Sequence, residues 1–200
     1  VAFDEGELPE DCALVKKKSL LDALAHLDEV GSLLTPSEVE LAAIREAIVM
    51  CENNGGGLFA NNAADKLKVA LSACERLARK SSCVVANPPY LGSSAFDPFM
   101  SKWVKENYPD VKSDLCTCFI ERVLSLTDRS GFAGLATSNS WMFLSSYEKL
   151  RQKIVNENTI DSLVQLSVHG FHGIAAQVCT FVLRNKHVAG YRGGYVRLND

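Results

Sequence analysis

The sequence predicts an α/β protein with a helical segment at its amino-terminal side. Up to residue 80 the apolar residues recur at helical spacing, and from residue 81 short apolar runs alternate with amphipathic stretches. Alternation of strands and helices favours a sheet whose ligand crevice lies at the carboxyl ends of the strands. We therefore expect a mostly helical segment over 1–80 and an alternating segment over 81–200.

The helical segment is predicted from three stretches. Leucines over 20–27 have helical spacing. Thr35 is expected to cap the next helix, because proline follows it and Glu38 completes a capping box three residues on. That helix should turn Leu41, Ile44 and Ile48 inward. It should end at the glycine run 55–57, which we interpret as a plain loop because it lacks a preceding strand and a spaced glycine pattern. A third helix is expected over 62–80.

The alternating segment begins with an apolar run at Cys83–Ala86, which predicts a buried strand. Helices are expected after Asp97 and Asp114, and Ser145 with Glu148 resembles a second capping box. Further strands are predicted over 132–136, 160–166, 177–183 and 191–198.

Composition excludes several classes of protein. Hydrophobic residues at 47% and charged residues at 22% are ordinary globular values, and the longest uncharged stretch, 163–183, is too polar to span a membrane. A net charge of −3 gives no basic face, so most phosphate contacts to a nucleic acid would come from elsewhere. Seven cysteines without a close-set framework indicate a reduced, cytoplasmic protein. Cys116 and Cys118 fall inside an amphipathic helix and no second pair has ligand spacing, so we predict small buried residues rather than a metal site.

The loop Asn87-Pro88-Pro89-Tyr90 follows the first predicted strand and is suited to holding a planar group that carries an NH₂. Two prolines remove two N–H donors and leave carbonyl acceptors. The Asn87 side-chain oxygen and the Pro88 carbonyl could accept both amine hydrogens, while Tyr90 stacks on the ring. These bonds would localise the amine lone pair for attack on a methyl group. The alternative is a proline-rich turn without chemistry.

Over about residues 83–184 the chain resembles the adenine-specific DNA methyltransferases that use S-adenosylmethionine. The resemblance is carried by the Asn-Pro-Pro-Tyr loop, by 107–115 and by Ser140-Trp-Met-Phe-Leu-Ser-Ser-Tyr-Glu-Lys-Leu-Arg151. This series is similar to the PglX-type methyltransferases of BREX phage-exclusion systems, relatives of the methyltransferase parts of single-chain restriction-modification enzymes.

The resemblance implies the C-terminal half of the sheet of a Rossmann-like methyltransferase fold. It assigns the catalytic loop to Asn87, Pro88, Pro89 and Tyr90, and the substrate base to Tyr90 and Phe171. A base that is buried in a duplex must be flipped out before such a loop can reach it. The implied reaction is methylation of the N6 amine of adenine in DNA.

The resemblance further places Asp114 and Phe119 near the adenosyl part of the cofactor, S-adenosyl-L-methionine. The family's glycine-rich cofactor motif and its downstream DNA-recognition region do not occur in these 200 residues. We therefore expect a piece of a longer protein, inactive by itself, whose partners are DNA and other proteins of a phage-defence system. The helices of 1–80 would belong to the methyltransferase domain or form an insertion in it.

Two other functions stay open at this point. The same loop grips a glutamine amide or an RNA base amine, so the acceptor could be protein or RNA. A degenerate module that only binds DNA or a partner is the non-enzymatic alternative, which the intact pair of acceptors at Asn87 and Pro88 disfavours.

Overall fold

The structure is a computed structural model that describes residues 8, 9, 11–53, 58–167 and 177–198. The chain forms two compact units, Val1–Arg79 and Lys80–Asp200. The helices are α1 (Lys18–Ala25), α2 (Leu27–Val30), α3 (Glu38–Asn53), α4 (Leu58–Ala78), α5 (Pro98–Asn107), α6 (Leu115–Leu126) and α7 (Glu148–Glu157). The strands are β1 (Ser81–Ala86), β2 (Thr127–Ser138), β3 (Thr159–Gln165), β4 (Val178–Arg184) and β5 (Gly194–Arg197).

The first unit is helical, and α3 packs against α4. Ion pairs between Arg45 and Glu75 (2.7 Å) and between Lys68 and Glu52 (2.9 Å) show that the two helices are antiparallel. The predicted inward positions of α3 at 41, 44 and 48 are buried, which confirms the spacing used to predict this helix. The predicted third helix is α4, which begins at Leu58 and ends at Ala78.

The capping box of α3 lies two residues later than predicted. Ser37 Oγ accepts a hydrogen bond from the Glu40 backbone N–H (3.3 Å), and Glu40 Oε2 accepts one from the Ser37 backbone N–H (2.8 Å). The Thr35 hydroxyl instead donates to the Leu33 carbonyl at 3.3 Å. Thr35 is therefore wrong as the cap: the Ser37 carbonyl accepts the first backbone hydrogen bonds of the helix, from the N–H groups of Glu40 (3.0 Å) and Leu41 (2.9 Å), so the helix begins after Ser37.

The second unit is an α/β sheet, which confirms the predicted fold class. Its strand order is β1-β2-β4-β3-β5. β1 is parallel to β2 and β3 to β5, whereas β4 runs antiparallel to both of its neighbours. Consequently the carboxyl ends of β1, β2, β3 and β5 and the start of β4 share one edge. α6 packs on β1 and β2, and α7 packs on β3.

The strand that leads into the Asn-Pro-Pro-Tyr loop is not buried, contrary to the prediction for Cys83–Ala86. β1 is the first strand of the sheet order, and Val85 is 77% exposed. Val85 lies on a face of the sheet that forms an open depression lined by residues of β1, β2, β3 and β4, so its side chain is accessible although it is apolar.

The end of the sheet opposite the loop is closed by a corner between α6 and β2. β2 begins at Thr127 rather than 132, and Ser130 within it has a φ of 72°. Asn185, just after β4, donates from Nδ2 to the carbonyls of Thr127 (2.8 Å) and Leu124 (3.2 Å). Its backbone N–H donates to the Gly131 carbonyl at 2.9 Å. This corner sets the register of β2.

The capping box predicted at Ser145 does not form, although α7 begins where it was expected. Residues Ser145–Tyr147 make a 3₁₀ turn, and Tyr147 stands at the cap position without a side-chain hydrogen bond. The Glu148 carboxylate accepts from Gln152 Nε2 at 3.2 Å, so it is turned along the helix rather than back toward Ser145. Across the described part of the chain, no helix is both long and apolar enough to cross a membrane.

Candidate active site

The Asn-Pro-Pro-Tyr loop lies at the edge of the sheet where four strands end. Ala86, the last residue of β1, pairs with Leu135 of β2, and the loop follows immediately. Asn87 and Pro89 are exposed, Pro88 is buried and Tyr90 is half-buried. The loop is therefore anchored at Pro88 and Tyr90 and presents its asparagine to solvent.

Neither of the two acceptors that the sequence singled out is paired with another described residue, although only Asn87 is exposed and Pro88 is buried. Within the described residues, no hydrogen bond occupies the Asn87 amide or the Pro88 carbonyl. Neither proline carries an N–H that could compete for them. An amine with two hydrogens could donate to both acceptors without displacing a hydrogen bond among the described residues.

Tyr90 is half-buried near two buried cysteines, Cys116 and Cys179. Burial raises the pKa of its phenol, and the proximity of Cys116 and Cys179 raises it further. Cys116 is fully buried, and burial raises the pKa of its thiol to about 12. Both groups are consequently neutral at physiological pH, so the ring faces uncharged neighbours, which suits stacking on a base.

Asp114 is held directly beside the loop. The Leu115 N–H donates to the Leu91 carbonyl (2.9 Å), and the Ser93 N–H donates to the Ser113 carbonyl (2.9 Å). Asp114 Oδ1 accepts from the Cys116 N–H at 2.9 Å and so caps α6. The structure thus brings this predicted cofactor residue next to the Asn-Pro-Pro-Tyr loop, Asn87 to Tyr90, which is called the acceptor loop below.

The other predicted site residues are less closely tied to the loop. Phe119 lies further along α6 and is half-buried. Phe171 lies outside the described residues, as does the glycine run 55–57. Cys116 and Cys118 are buried in α6 as predicted, and among the described residues no group of histidine, cysteine and carboxylate side chains could hold a metal ion.

Sequence reasoning missed a polar cluster at the end of β2. The Ser138 and Ser140 hydroxyls are 2.7 Å apart, and Asn139 Nδ2 donates to Gln177 Oε1 at 2.9 Å. The Asn139 N–H also donates to the Gln177 carbonyl at 2.8 Å, which fixes the start of β4. The sequence feature that could have predicted this cluster is the Ser-Asn-Ser run at the end of a strand. Asn87 was singled out as a candidate because it follows a strand in the same way.

An α/β sheet with an Asn-Pro-Pro-Tyr loop directly after the carboxyl end of a strand points to a protein of the methylase class. In particular, residues 42–171 match the model of the Eco57I restriction-modification methylase family. The match covers more than half of the chain, and the chain belongs to this family.

Two curated relatives are similar to the chain and confirm the resemblance to the PglX type. The adenine-specific methyltransferase BrxX of Escherichia coli O9:H4 (strain HS) is 31% identical over 206 residues, which cover 99% of this chain and 17% of that protein. The adenine-specific methyltransferase PglX of Lacticaseibacillus casei (strain Zhang) is 33% identical over 138 residues, which cover 68% and 11%. The chain therefore spans less than a fifth of either relative.

Among solved structures, the DrdV–DNA complex is similar to the chain with a TM-score of 0.48 and 14% identity. The similarity covers 72% of this chain and 16% of that one.

Proposed function

We propose that this chain forms the acceptor side of an enzyme that transfers a methyl group from S-adenosylmethionine to the N6 amine of adenine in DNA. The observation that carries the proposal is the pair of unoccupied acceptors at Asn87 and Pro88, on a loop whose Tyr90 ring faces neutral neighbours. The family match and the printed names of both curated relatives support the same reaction.

The acceptors would act on the electron pair of the amine. An exocyclic amine is a weak nucleophile because its lone pair is delocalised into the ring. Hydrogen bonds from its two N–H groups to Asn87 Oδ1 and the Pro88 carbonyl favour a tetrahedral nitrogen, which localises the pair. With its electron pair localised, the amine would be held ready to accept the methyl group that the bound cofactor would supply, and its surplus proton would leave afterwards. Acceptors that are held in place in this way contribute most in a site that excludes water.

The cofactor supplies a methyl group on a positively charged sulfur. The side chains of Asp114 and Phe119 are of the chemical types that suit its adenosyl part. Asp114 offers a carboxylate acceptor at the start of α6, and Phe119 offers an aromatic ring on the same helix. We assign these two residues to that part. The remaining cofactor contacts would come from sequence outside these 200 residues.

The adenine would reach the loop only after leaving the duplex. Flipping costs a few kcal/mol in lost stacking and pairing. Stacking on Tyr90 would return about 1–3 kcal/mol of this, independently of base identity, so the hydrogen bonds would select the amine. Phe171 would contact the base from another side. The net charge of −3 indicates that other parts of the protein hold the DNA backbone.

The test is tritiated methyl transfer by the full-length protein to DNA, followed by digestion to nucleosides. We expect label in N6-methyladenine. Asn87→Ala should lower the rate at least about a hundredfold, the usual loss for one preorganised polar group. Asn107→Ala is the matched control, because Asn107 is exposed and, among the described residues, its side chain donates to the Trp103 carbonyl of its own helix α5. Label in protein or RNA would favour the alternative acceptors, and no label with intact DNA binding would favour the non-enzymatic module. A role beside other phage-defence proteins would be tested by co-purification.

A further inference from the structure

An exposed glutamine at the start of β4 is held in place by a buried asparagine at the end of β2. Asn139 is 8% exposed, whereas Gln177 is exposed to solvent. The Asn139 backbone N–H donates to the Gln177 carbonyl at 2.8 Å, and Asn139 Nδ2 donates to Gln177 Oε1 at 2.9 Å. A glutamine that is held at both its main chain and its side chain has already lost much of the rotational freedom that binding a ligand would cost.

The Gln177 amide keeps its N–H groups for a ligand. Its Oε1 accepts from Asn139, and among the described residues no acceptor is bonded to its Nε2. Each amide nitrogen carries two hydrogens that can be donated. The pair therefore presents an N–H donor whose direction is set by a buried neighbour.

The glutamine lies at the sheet edge that carries the acceptor loop. The acceptor loop follows β1, Asn139 follows β2 and Gln177 precedes β4, and these three strands are neighbours in that order. Adjacent strands lie about 4.8 Å apart, so Gln177 is about 10 Å across the sheet from the line of β1. A purine that is hydrogen-bonded on both sides can bridge such a distance.

The position of Tyr90 links the acceptor loop to this glutamine. Tyr90 lies near Cys116 and Cys179. Cys116 Sγ is 3.8 Å from the hydroxyl of Ser138, the last residue of β2. Cys179 is two residues along the chain from Gln177, and residues two apart in an extended chain project to the same face of a sheet. A base that stacks on Tyr90 therefore lies on the face from which Gln177 projects.

We propose that the Gln177 amide donates a hydrogen bond to the ring nitrogen beside the amine of the flipped adenine, N1 or N7, and makes the site selective for a base with an acceptor there. This inference rests on the proposed function. The contacts assigned to the acceptor loop meet the amine and the flat face of the base, and none of them meets a ring nitrogen. A buried ring nitrogen without a donor costs free energy, and glutamine is a side chain that pairs with this part of adenine. Asn139 is then a positioning residue, because it acts through Gln177.

The test removes the donor from the full-length protein and the acceptor from its DNA. Gln177→Glu keeps an oxygen that accepts from Asn139 Nδ2 and replaces only the amide nitrogen. The DNA carries, at the methylated position, adenine or an analogue in which C–H replaces N1, N7 or N3, and every analogue keeps the amine.

We expect Gln177→Glu to methylate adenine about tenfold more slowly than the wild type, the scale of one buried polar group left unpaired. The wild type should lose about the same factor on the N1 or on the N7 analogue. The variant should lose nothing further on that analogue, because the hydrogen bond is already absent. The N3 analogue should behave like adenine with both proteins, since N3 lies away from the amine.

The matched control is Gln165→Glu, which places the same new charge at the end of β3, the other neighbour of β4. It should methylate adenine at the wild-type rate, and a loss equal to that of Gln177→Glu would assign the effect to charge near the DNA and overturn the contact. The contact is also overturned if Gln177→Glu keeps the wild-type rate, if it is slowed equally on adenine and on every analogue, or if the wild type uses every analogue as well as adenine. Failure of the wild type to methylate DNA would instead refute the proposed function.

Discussion

Replacing Asp114 separates its structural role from its proposed contact with the cofactor. Asp114 Oδ1 accepts from the Cys116 N–H at 2.9 Å in the first turn of α6. Loss of one such cap costs about 1 kcal/mol, so Asp114→Ala should make opening of that turn about fivefold more frequent. Asparagine caps as well as aspartate, so Asp114→Asn should leave the helix unchanged and remove only the negative charge.

The assay is amide hydrogen exchange on the full-length protein, read on peptides from α6. Asp97→Ala provides the comparison, because Asp97 Oδ1 accepts from the Met100 N–H at 2.8 Å and caps α5 in the same way. Each alanine variant should loosen its own helix only. Affinity for S-adenosylmethionine should fall in both Asp114 variants and stay unchanged in Asp97→Ala.

Two results would refute this reasoning separately. If Asp114→Asn exchanges as fast as Asp114→Ala, the cap is not what holds the first turn of α6. If Asp114→Asn binds the cofactor like the wild type, the carboxylate has no part in that contact and the assignment of Asp114 is wrong.

Two further predictions concern the sheet and the buried thiols. Gly131→Ala should destabilise the protein by about 1–3 kcal/mol, because a Cβ would lie 2.7 Å from the Ser82 carbonyl oxygen, whereas Gly134→Ala meets its nearest atom at 3.6 Å and should be tolerated. Equal denaturation midpoints for both variants would contradict this. Burial raises the pKa of Cys116 and Cys118 to about 12 from 9.0, so the unfolded chain loses these protons first and stability should fall as pH rises above 9.0. A urea denaturation midpoint that stays constant as the pH is raised from about 8 to about 10 would contradict this expected loss of stability.

Elements with their own periodicity could be predicted from the sequence. The inward positions of α3 and the burial of Cys116 and Cys118 follow from spacing alone, and the order of helices and strands in the second unit was correct. Caps were predicted less well, because Thr35 with Glu38 and Ser37 with Glu40 both have capping-box spacing. Local sequence does not decide between two such boxes two residues apart.

The exposure of β1 could not be predicted, since Val84 and Val85 have the composition of a buried strand. Whether a strand lies inside a sheet or at its edge depends on which other strands pair with it, and that is a property of the whole fold. The contacts of the candidate site likewise depend on the whole fold wherever they join residues that are distant in the sequence. The acceptor loop was recognisable because its four residues are contiguous, whereas the bond between Asn139 and Gln177 joins residues at the ends of different strands.

The corner at Asn185 changes how loss-of-function variants in this family member should be interpreted. A one-residue slip of β2 would move its residues by about 3.3 Å along β1 and exchange the two faces of the strand. The carboxyl end of β2 would then be displaced relative to Ala86 and the Asn-Pro-Pro-Tyr loop that follows it, although no residue of the loop had been altered. Inactive variants are therefore expected at two opposite ends of the sheet. Those near Asn185 would lower activity because they change the register of β2 against β1, and not because they remove a group that contacts the substrate.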